Sequence, residues 1–151
     1  MKSFRTCITL IIGVGMFLLF VFQVSAQELT PDEKVIVKDT GSTNNSGYQI
    51  VIEPSGRVKV TVENVRRNSV YADGQYNVSP NLVKQLIVDL NVVMPLTNLN
   101  MGNCAKSASF GTSTYVTYKG QTSPDIQCMK REKFVDDVYT IIGKIPRAPR
   151  D

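Results

Sequence analysis

The chain contains no histidine and no tryptophan. Without an imidazole, it has no Ser-His-Asp or Cys-His catalytic arrangement, no histidine ligand for zinc and no side chain whose ordinary pKa lies near neutrality. Motifs for a Ser-x-x-Lys nucleophile, a phosphate-binding glycine-rich loop and an acidic calcium loop are also missing. The sequence therefore predicts a protein that is not an enzyme of these classes and that holds no cofactor or metal.

The N-terminus carries the clearest pattern in the chain. Two basic residues precede an apolar run over residues 8–22, and the small-residue motif Val24-Ser25-Ala26 stands before Gln27. This order is typical of a secretory signal peptide over residues 1–26, cleaved between Ala26 and Gln27. We expect the remaining chain to be exported to a periplasmic or extracellular location.

An uncleaved membrane anchor is the alternative interpretation of the same segment, because residues 6–24 are long enough to span a bilayer. With cleavage, we expect no membrane association. Cleavage also removes Lys2 and Arg5 from a chain whose net charge is only +4. So small a positive charge does not indicate a nucleic-acid-binding protein.

Cysteine is scarce, with three residues in the whole chain. Cys7 lies in the predicted signal peptide, so Cys104 and Cys128 remain for an oxidising compartment and are expected to form one disulfide. Closing a loop of this length stabilises the folded chain by roughly 3 kcal/mol. Two free thiols are the alternative, but the chain offers no histidine to generate a thiolate.

Composition divides the exported part into three segments. Residues 27–47 are mostly polar and predict a flexible N-terminal linker. Residues 48–146 carry regular apolar patterns and predict a single domain. Residues 147–151 form a short tail.

Periodicity predicts four main elements within that domain. Alternating apolar residues flank Pro54-Ser55-Gly56 and predict a hairpin over residues 48–62, with a weaker extended piece at residues 75–78. Ser79 caps a helix that Pro80 opens and Pro95 ends. A second, more polar hairpin is predicted over residues 110–128, and a second amphipathic helix over residues 130–145.

The predicted order is therefore ββαββα, which favours an α+β two-layer sandwich. We expect an antiparallel sheet of four to five strands with both helices on one face. These segments resemble small exported bacterial α+β domains of uncharacterised function. The resemblance rests on residues 48–62 with the Ser55-Gly56 turn, on Val78-Ser79-Pro80, on residues 114–120 and on the C-terminal helix. It implies a fold and a compartment and carries no catalytic residues.

One short motif resembles an enzyme family. In residues 35–42 an apolar run leads to Asp39-Thr40-Gly41, as in the active-site loop of aspartic proteases. The resemblance implies a small carboxylate-dependent hydrolase in which Asp39 faces a second carboxylate, from the same chain or from a dimer mate. Lys38 directly precedes this aspartate and a polar segment follows it, which departs from the family pattern.

The sequence favours a non-enzymatic domain that binds a protein or a cell-envelope partner through a sheet face or a hairpin edge. Tyrosine and arginine are the residue types that most often anchor such interfaces. The candidate binding residues are Tyr71, Tyr76 and Tyr115, which we expect to be exposed, together with Arg66 and Arg67. The alternatives are the hydrolase with Asp39 and a purely structural envelope protein.

Overall fold

A computed structural model describes residues 33–63, 69–107, 111–130 and 132–149. Within them, a six-stranded antiparallel sheet and two α-helices confirm the predicted α+β class. The strands are β1 (Val35–Asp39), β2 (Gly47–Ile52), β3 (Arg57–Glu63), β4 (Gly74–Asn77), β5 (Thr114–Tyr118) and β6 (Gln121–Thr122), and the helices are α1 (Pro80–Val92) and α2 (Lys133–Ile142). The predicted signal peptide and its cleavage site at Ala26 and Gln27 lie outside these residues.

Strand β1 lies in the middle of the sheet, whose order is β4-β3-β2-β1-β5-β6. The linker prediction for residues 27–47 is therefore wrong for Val35–Asp39. The predicted ββαββα order with four to five strands is likewise corrected to six strands in the order ββββαββα. A short strand in a polar sequence is stabilised mainly by its neighbours in the sheet, and β1 has β2 on one side and β5 on the other.

The register of the strands separates the sheet into two faces. Val37 is paired with Ile50 on one side and with Val116 on the other, and Ile50 is paired with Val60. All four side chains are buried, because paired residues of neighbouring strands point to the same face. This face forms the sheet half of a single hydrophobic core.

The two helices supply the other half of that core. In α1 the buried residues are Val83, Leu86, Ile87 and Leu90, and in α2 they are Phe134, Val135, Val138, Ile141 and Ile142. Both predicted helices are confirmed, and their apolar stripes pack in the same cluster as the buried sheet face. The predicted side-chain cap by Ser79 is not formed. The backbone carbonyl of Ser79 instead accepts a hydrogen bond from Leu82 N at 3.0 Å.

The hairpin of β2 and β3 is confirmed, and its turn also holds β4 in place. Gly56 has a φ of +89°, and its N–H donates to the Glu53 carbonyl at 2.9 Å. The Gly56 carbonyl accepts from Val78 N at 2.9 Å, directly after β4. A side chain at position 56 is excluded, because its Cβ would lie 2.4 Å from the Val78 oxygen.

The second hairpin is shorter than predicted. Lys119 and Gly120 form its turn with φ values of 49° and 72°, and β6 contains two residues. The segment Ile126–Cys128, predicted as part of this hairpin, forms a 3-10 turn instead. Pro124 has no N–H with which to continue a strand ladder, and the Asp125 side chain accepts from Gln127 N and caps the turn.

Candidate functional site

A buried polar cluster lies where β1 ends and β5 begins. The carboxylate of Asp39 is 5% exposed and accepts two hydrogen bonds, from Gly41 N to Oδ1 and from Thr114 Oγ1 to Oδ2, both at 2.8 Å. The Thr114 hydroxyl also accepts from Gln127 Nε2 at 2.7 Å. Asp39, the predicted catalytic candidate, thus has both carboxylate oxygens engaged by the protein itself.

A second aspartate lies on the other side of Thr114. Asp125 is 5% exposed, and its Oδ1 accepts from Thr114 N and Gln127 N, each at 3.1 Å. Its Oδ2 forms an ion pair with Lys106. Burial alone raises the pKa of Asp125, but the hydrogen bonds from Lys106, Ser113 and the backbone outweigh it and lower the pKa below the ordinary value.

Thr114 therefore joins the two carboxylates by different groups, its hydroxyl contacting Asp39 and its N–H contacting Asp125. In an aspartic-protease pair, by contrast, two carboxyl groups share one proton. Lys106 holds Asp125 in the ionised form. The arrangement therefore favours a structural role, in which the cluster connects β1, β5 and the loop containing Lys106.

Three tyrosines surround the same end of the sheet. Burial raises the pKa of Tyr48, Tyr71 and Tyr139 above the ordinary value for a phenol, and the charge of Asp39 raises each of them further. The rings of Tyr48 and Tyr71 meet edge to face, with centroids 5.0 Å apart. These phenols remain protonated at neutral pH and act as packing groups with a polar tip.

The predicted disulfide is present, between Cys104 and Cys128, with 5.1 Å between the two Cα atoms. It joins the loop before β5 to the 3-10 turn before α2. Gly102 N donates to the Cys128 carbonyl at 2.7 Å, so the loop is also held by its backbone. Lys106 follows the first cysteine by two residues, and the disulfide therefore anchors the segment that delivers Lys106 to Asp125.

The three tyrosines among the predicted binding residues do not lie on one surface. Tyr71 is 8% exposed and belongs to the core, so its prediction as an exposed residue is corrected. Tyr76 packs against the core and covers Gly74, while Tyr115 lies on the opposite face of the sheet. Arg66 and Arg67 lie outside the described residues.

The face of the sheet that bears Tyr115 has no helix packed on it within the described part of the chain. We call it the open face. The side chains on it come from alternate positions of the strands, namely Ile36, Lys38, Gln49, Val51, Arg57, Lys59, Thr61, Glu63, Gln75, Asn77, Tyr115, Thr117 and Thr122. None of them is fully buried.

The open face combines an apolar centre with charged side chains around it, and Arg57 is ion-paired with Glu53 at 3.8 Å. Ile36 is paired with Val51, and Val51 with Lys59. Lys38 forms an exposed ion pair with Glu63, with 3.0 Å between nitrogen and oxygen. Lys59 is exposed and makes no ion pair with any described residue.

Because residues 35–39 are predicted as linker, the sequence does not predict the two side chains that β1 places on this face, Ile36 and Lys38. The signal was present in residues 35–39, where two buried valines alternate with Ile36 and Lys38. A shallow cavity of about 390 Å³ lies at one side of the open face, between β3 and β4. Its lining includes Lys59, Thr61 and Gln75.

The described residues lack two features that would indicate other functions. They contain no group of three or more cysteine, aspartate or glutamate side chains placed to hold a metal ion. They also contain no helix with the length and apolar character needed to cross a bilayer.

Comparison with models of protein families gives no match, and no curated protein sequence matches this chain.

Proposed function

We propose that this protein is an exported, disulfide-stabilised, non-enzymatic domain that binds a protein or a cell-envelope partner through the open face of its sheet. The observation that carries the proposal is the asymmetry of the sheet. One face is covered by α1 and α2, whereas the described chain supplies no cover for the other, on which Ile36, Val51 and Tyr115 lie.

The size of the open face indicates the kind of contact it makes. Six strands at a spacing of about 4.8 Å, with about five residues each at 3.4 Å, give a face of roughly 500 Å². A stable protein interface usually buries about 800 Å² on each partner. The open face alone therefore supports a weak contact, and a tighter complex also involves an edge of the sheet.

The hydrogen bonds within the polar cluster of Asp39 and Asp125 support a structural role for the cluster rather than a catalytic one. Each carboxylate is held by groups of the protein, and the cluster connects three segments of the fold. Its contribution to function is therefore to keep the scaffold of the open face rigid.

Export is tested by the mass of the protein recovered from its native compartment, measured with and without reduction. The proposal predicts a chain that begins at Gln27 and gains the mass of two hydrogen atoms on reduction, because Cys104 and Cys128 are bonded. An intact N-terminus with two free thiols contradicts both the export and the oxidising compartment.

The open face is tested by comparing two charge-reversed variants as baits. Lys38→Glu with Lys59→Glu alters the open face, and Lys84→Glu with Lys144→Glu makes the same change in net charge at exposed positions on the helix side. A partner recovered with the wild type and with the helix-side variant, but lost with the open-face variant, supports the proposal. A partner lost only with the helix-side variant contradicts it.

A further inference from the structure

The two edges of the sheet differ in their capacity to accept another strand. At one edge β6 contains two residues, so it offers little backbone for pairing. At the other edge, β4 (Gly74–Asn77) contains four residues and pairs with β3 on its inner side. No other described strand lies along the outer side of β4.

The direction of the backbone groups of β4 follows from one hydrogen bond. Val78 N donates to the Gly56 carbonyl, so residue 78 faces β3. In an antiparallel pair, the residues that bond to the neighbouring strand alternate with residues that point away from it. Tyr76 therefore faces β3, whereas Gln75 and Asn77 direct their N–H and C=O groups outward. Neither forms a backbone hydrogen bond to another described segment.

This edge lacks most of the features that prevent strand addition. Proteins protect edge strands with lysine, proline, a bulge, a covering segment or a very short strand. Gly74–Asn77 contains neither lysine nor proline, and its pairing with β3 runs from Arg57↔Asn77 to Val60↔Gly74 without a bulge. Although β4 is short, no described strand covers its outer side, so its two outward residues are available for main-chain pairing.

The charges beside the edge select the chemistry of the added strand. Lys59 is paired with Gln75 and Arg57 with Asn77, so the two cations lie one strand inward from the edge. Arg57 forms an ion pair with Glu53 at 3.8 Å, whereas Lys59 makes no ion pair with a described residue, so Lys59 is the cation that selects the partner. An added strand lies about 10 Å from β3, and a lysine and a glutamate side chain together span that distance. The cavity lined by Lys59, Thr61 and Gln75 lies on the same side; Asp73 also lines it and accepts a hydrogen bond from Val62 N.

We infer that β4 accepts an extended acidic segment of a partner protein as a seventh strand, with acidic side chains at alternate positions on the side of the open face, one of which is directed to Lys59. Main-chain hydrogen bonds give such strand addition its affinity, and the alternate side chains give its specificity. The inference rests on the proposed binding function and names the class of partner.

The test uses the synthetic peptide acetyl-(Val-Glu)4-amide and nuclear magnetic resonance of the labelled protein. Peptide addition is expected to shift the amide resonances of Gln75 and Asn77 in a saturable way and to slow their hydrogen exchange. Resonances of Thr122 on the opposite edge are expected to remain unchanged.

Three variants separate main-chain pairing from side-chain effects. Gln75→Pro removes an outward N–H and leaves the ladder to β3 intact, so it is expected to weaken peptide binding about tenfold, through the loss of a main-chain hydrogen bond and the clash of the proline ring with an added strand. Gln75→Ala keeps that N–H and is expected to bind like the wild type. Thr122→Pro makes the matched change on β6 and is expected to have no effect.

The charge of the partner is tested with Lys59→Glu, which leaves every main-chain group in place. This variant is expected to bind acetyl-(Val-Glu)4-amide about tenfold more weakly and to gain affinity for acetyl-(Val-Lys)4-amide. Equal binding of the two peptides by the wild type overturns the assignment of an acidic partner.

Shifts confined to Lys38 and Tyr115, with β4 unchanged, overturn strand addition and leave the proposed binding through the open face standing. An absence of any saturable shift also overturns the inference. The proposed function fails separately, when the open-face and helix-side baits described above recover the same proteins.

Discussion

Gly56 illustrates how a single residue controls two parts of the fold. Its φ of +89° is a conformation that L side chains rarely adopt, and its Cβ would lie 2.4 Å from the Val78 oxygen. Gly120 also has a positive φ, of +72°, but has open space around it. Substitution of Gly120 therefore introduces backbone strain alone, whereas substitution of Gly56 introduces both strain and a steric clash.

We predict that Gly56→Ala lowers the free energy of unfolding by about 3 kcal/mol, because it adds displacement of β4 to the strain of a positive φ. Gly120→Ala is expected to cost about 1 kcal/mol, from strain alone. Urea unfolding followed by circular dichroism measures both values. Equal costs for the two variants contradict the packing of Gly56 against Val78.

Asp125 gives the clearest prediction of pH dependence. Its pKa is lowered in the folded protein, so its stabilising contribution is complete above the unfolded value of about 4 and is lost as the pH falls through the lower folded value. We predict that Asp125→Asn lowers the free energy of unfolding by about 2 kcal/mol at pH 7, since it leaves Lys106 without its carboxylate. The difference from the wild type is expected to shrink below pH 4.

Glu63→Gln is the control for Asp125→Asn. It removes an ion pair to Lys38 in which both side chains are more than one third exposed. Such pairs contribute about 0.5 kcal/mol or less, so little change is expected. A loss at pH 7 as large as that of Asp125→Asn, measured by the same unfolding experiment, contradicts the assignment of Asp125 as a buried anchor.

Predictions for single residues succeeded where chemistry allows only one partner. They failed where the two contacting residues are far apart in the sequence. Cys104 and Cys128 were paired correctly because no other cysteine remains after the predicted cleavage. The connection of Asp39 with Thr114 was not predictable, because 75 residues separate them. The prediction that Tyr71 is exposed was wrong because its contact with the ring of Tyr48 leaves no pattern in the local sequence.

At the level of elements, helices and strands with long apolar repeats were predicted, and a strand with a short repeat was not. Helix α1 and the hairpin of β2 and β3 have long apolar repeats and clear end signals, and both were predicted. Strand β1 has five residues and precedes a polar loop, so its position between β2 and β5 is visible only in the folded sheet. Strand order is a property of non-local pairing, which a local pattern does not contain.

The position of β1 is tested by substitutions on its two faces. Val37 is fully buried, and Ile36 lies on the open face. We predict that Val37→Ala lowers the free energy of unfolding by about 2–3 kcal/mol, through loss of burial and formation of a cavity. Ile36→Ala removes more atoms but is expected to cost about 1 kcal/mol or less. The opposite order, measured by urea unfolding, contradicts the assignment of the two faces.

At the scale of the whole molecule, the protein is a sheet with one covered and one open face. The sequence predicted the α+β class and the disulfide, since composition and periodicity determine which residues form a core. It did not predict the open face as a surface, because that face is assembled from six strands in which β1 lies between β2 and β5, and β5 is distant from β1 in sequence. The proposed binding function depends on this face.

The most direct test of this account is photo-crosslinking in the native compartment. A photoreactive phenylalanine analogue replaces either Tyr115 on the open face or Tyr139, which is 42% exposed on α2. The account predicts that irradiation joins a partner to the protein substituted at position 115 and not to the protein substituted at position 139. A crosslinked partner at position 139 alone, or none at either position, contradicts it.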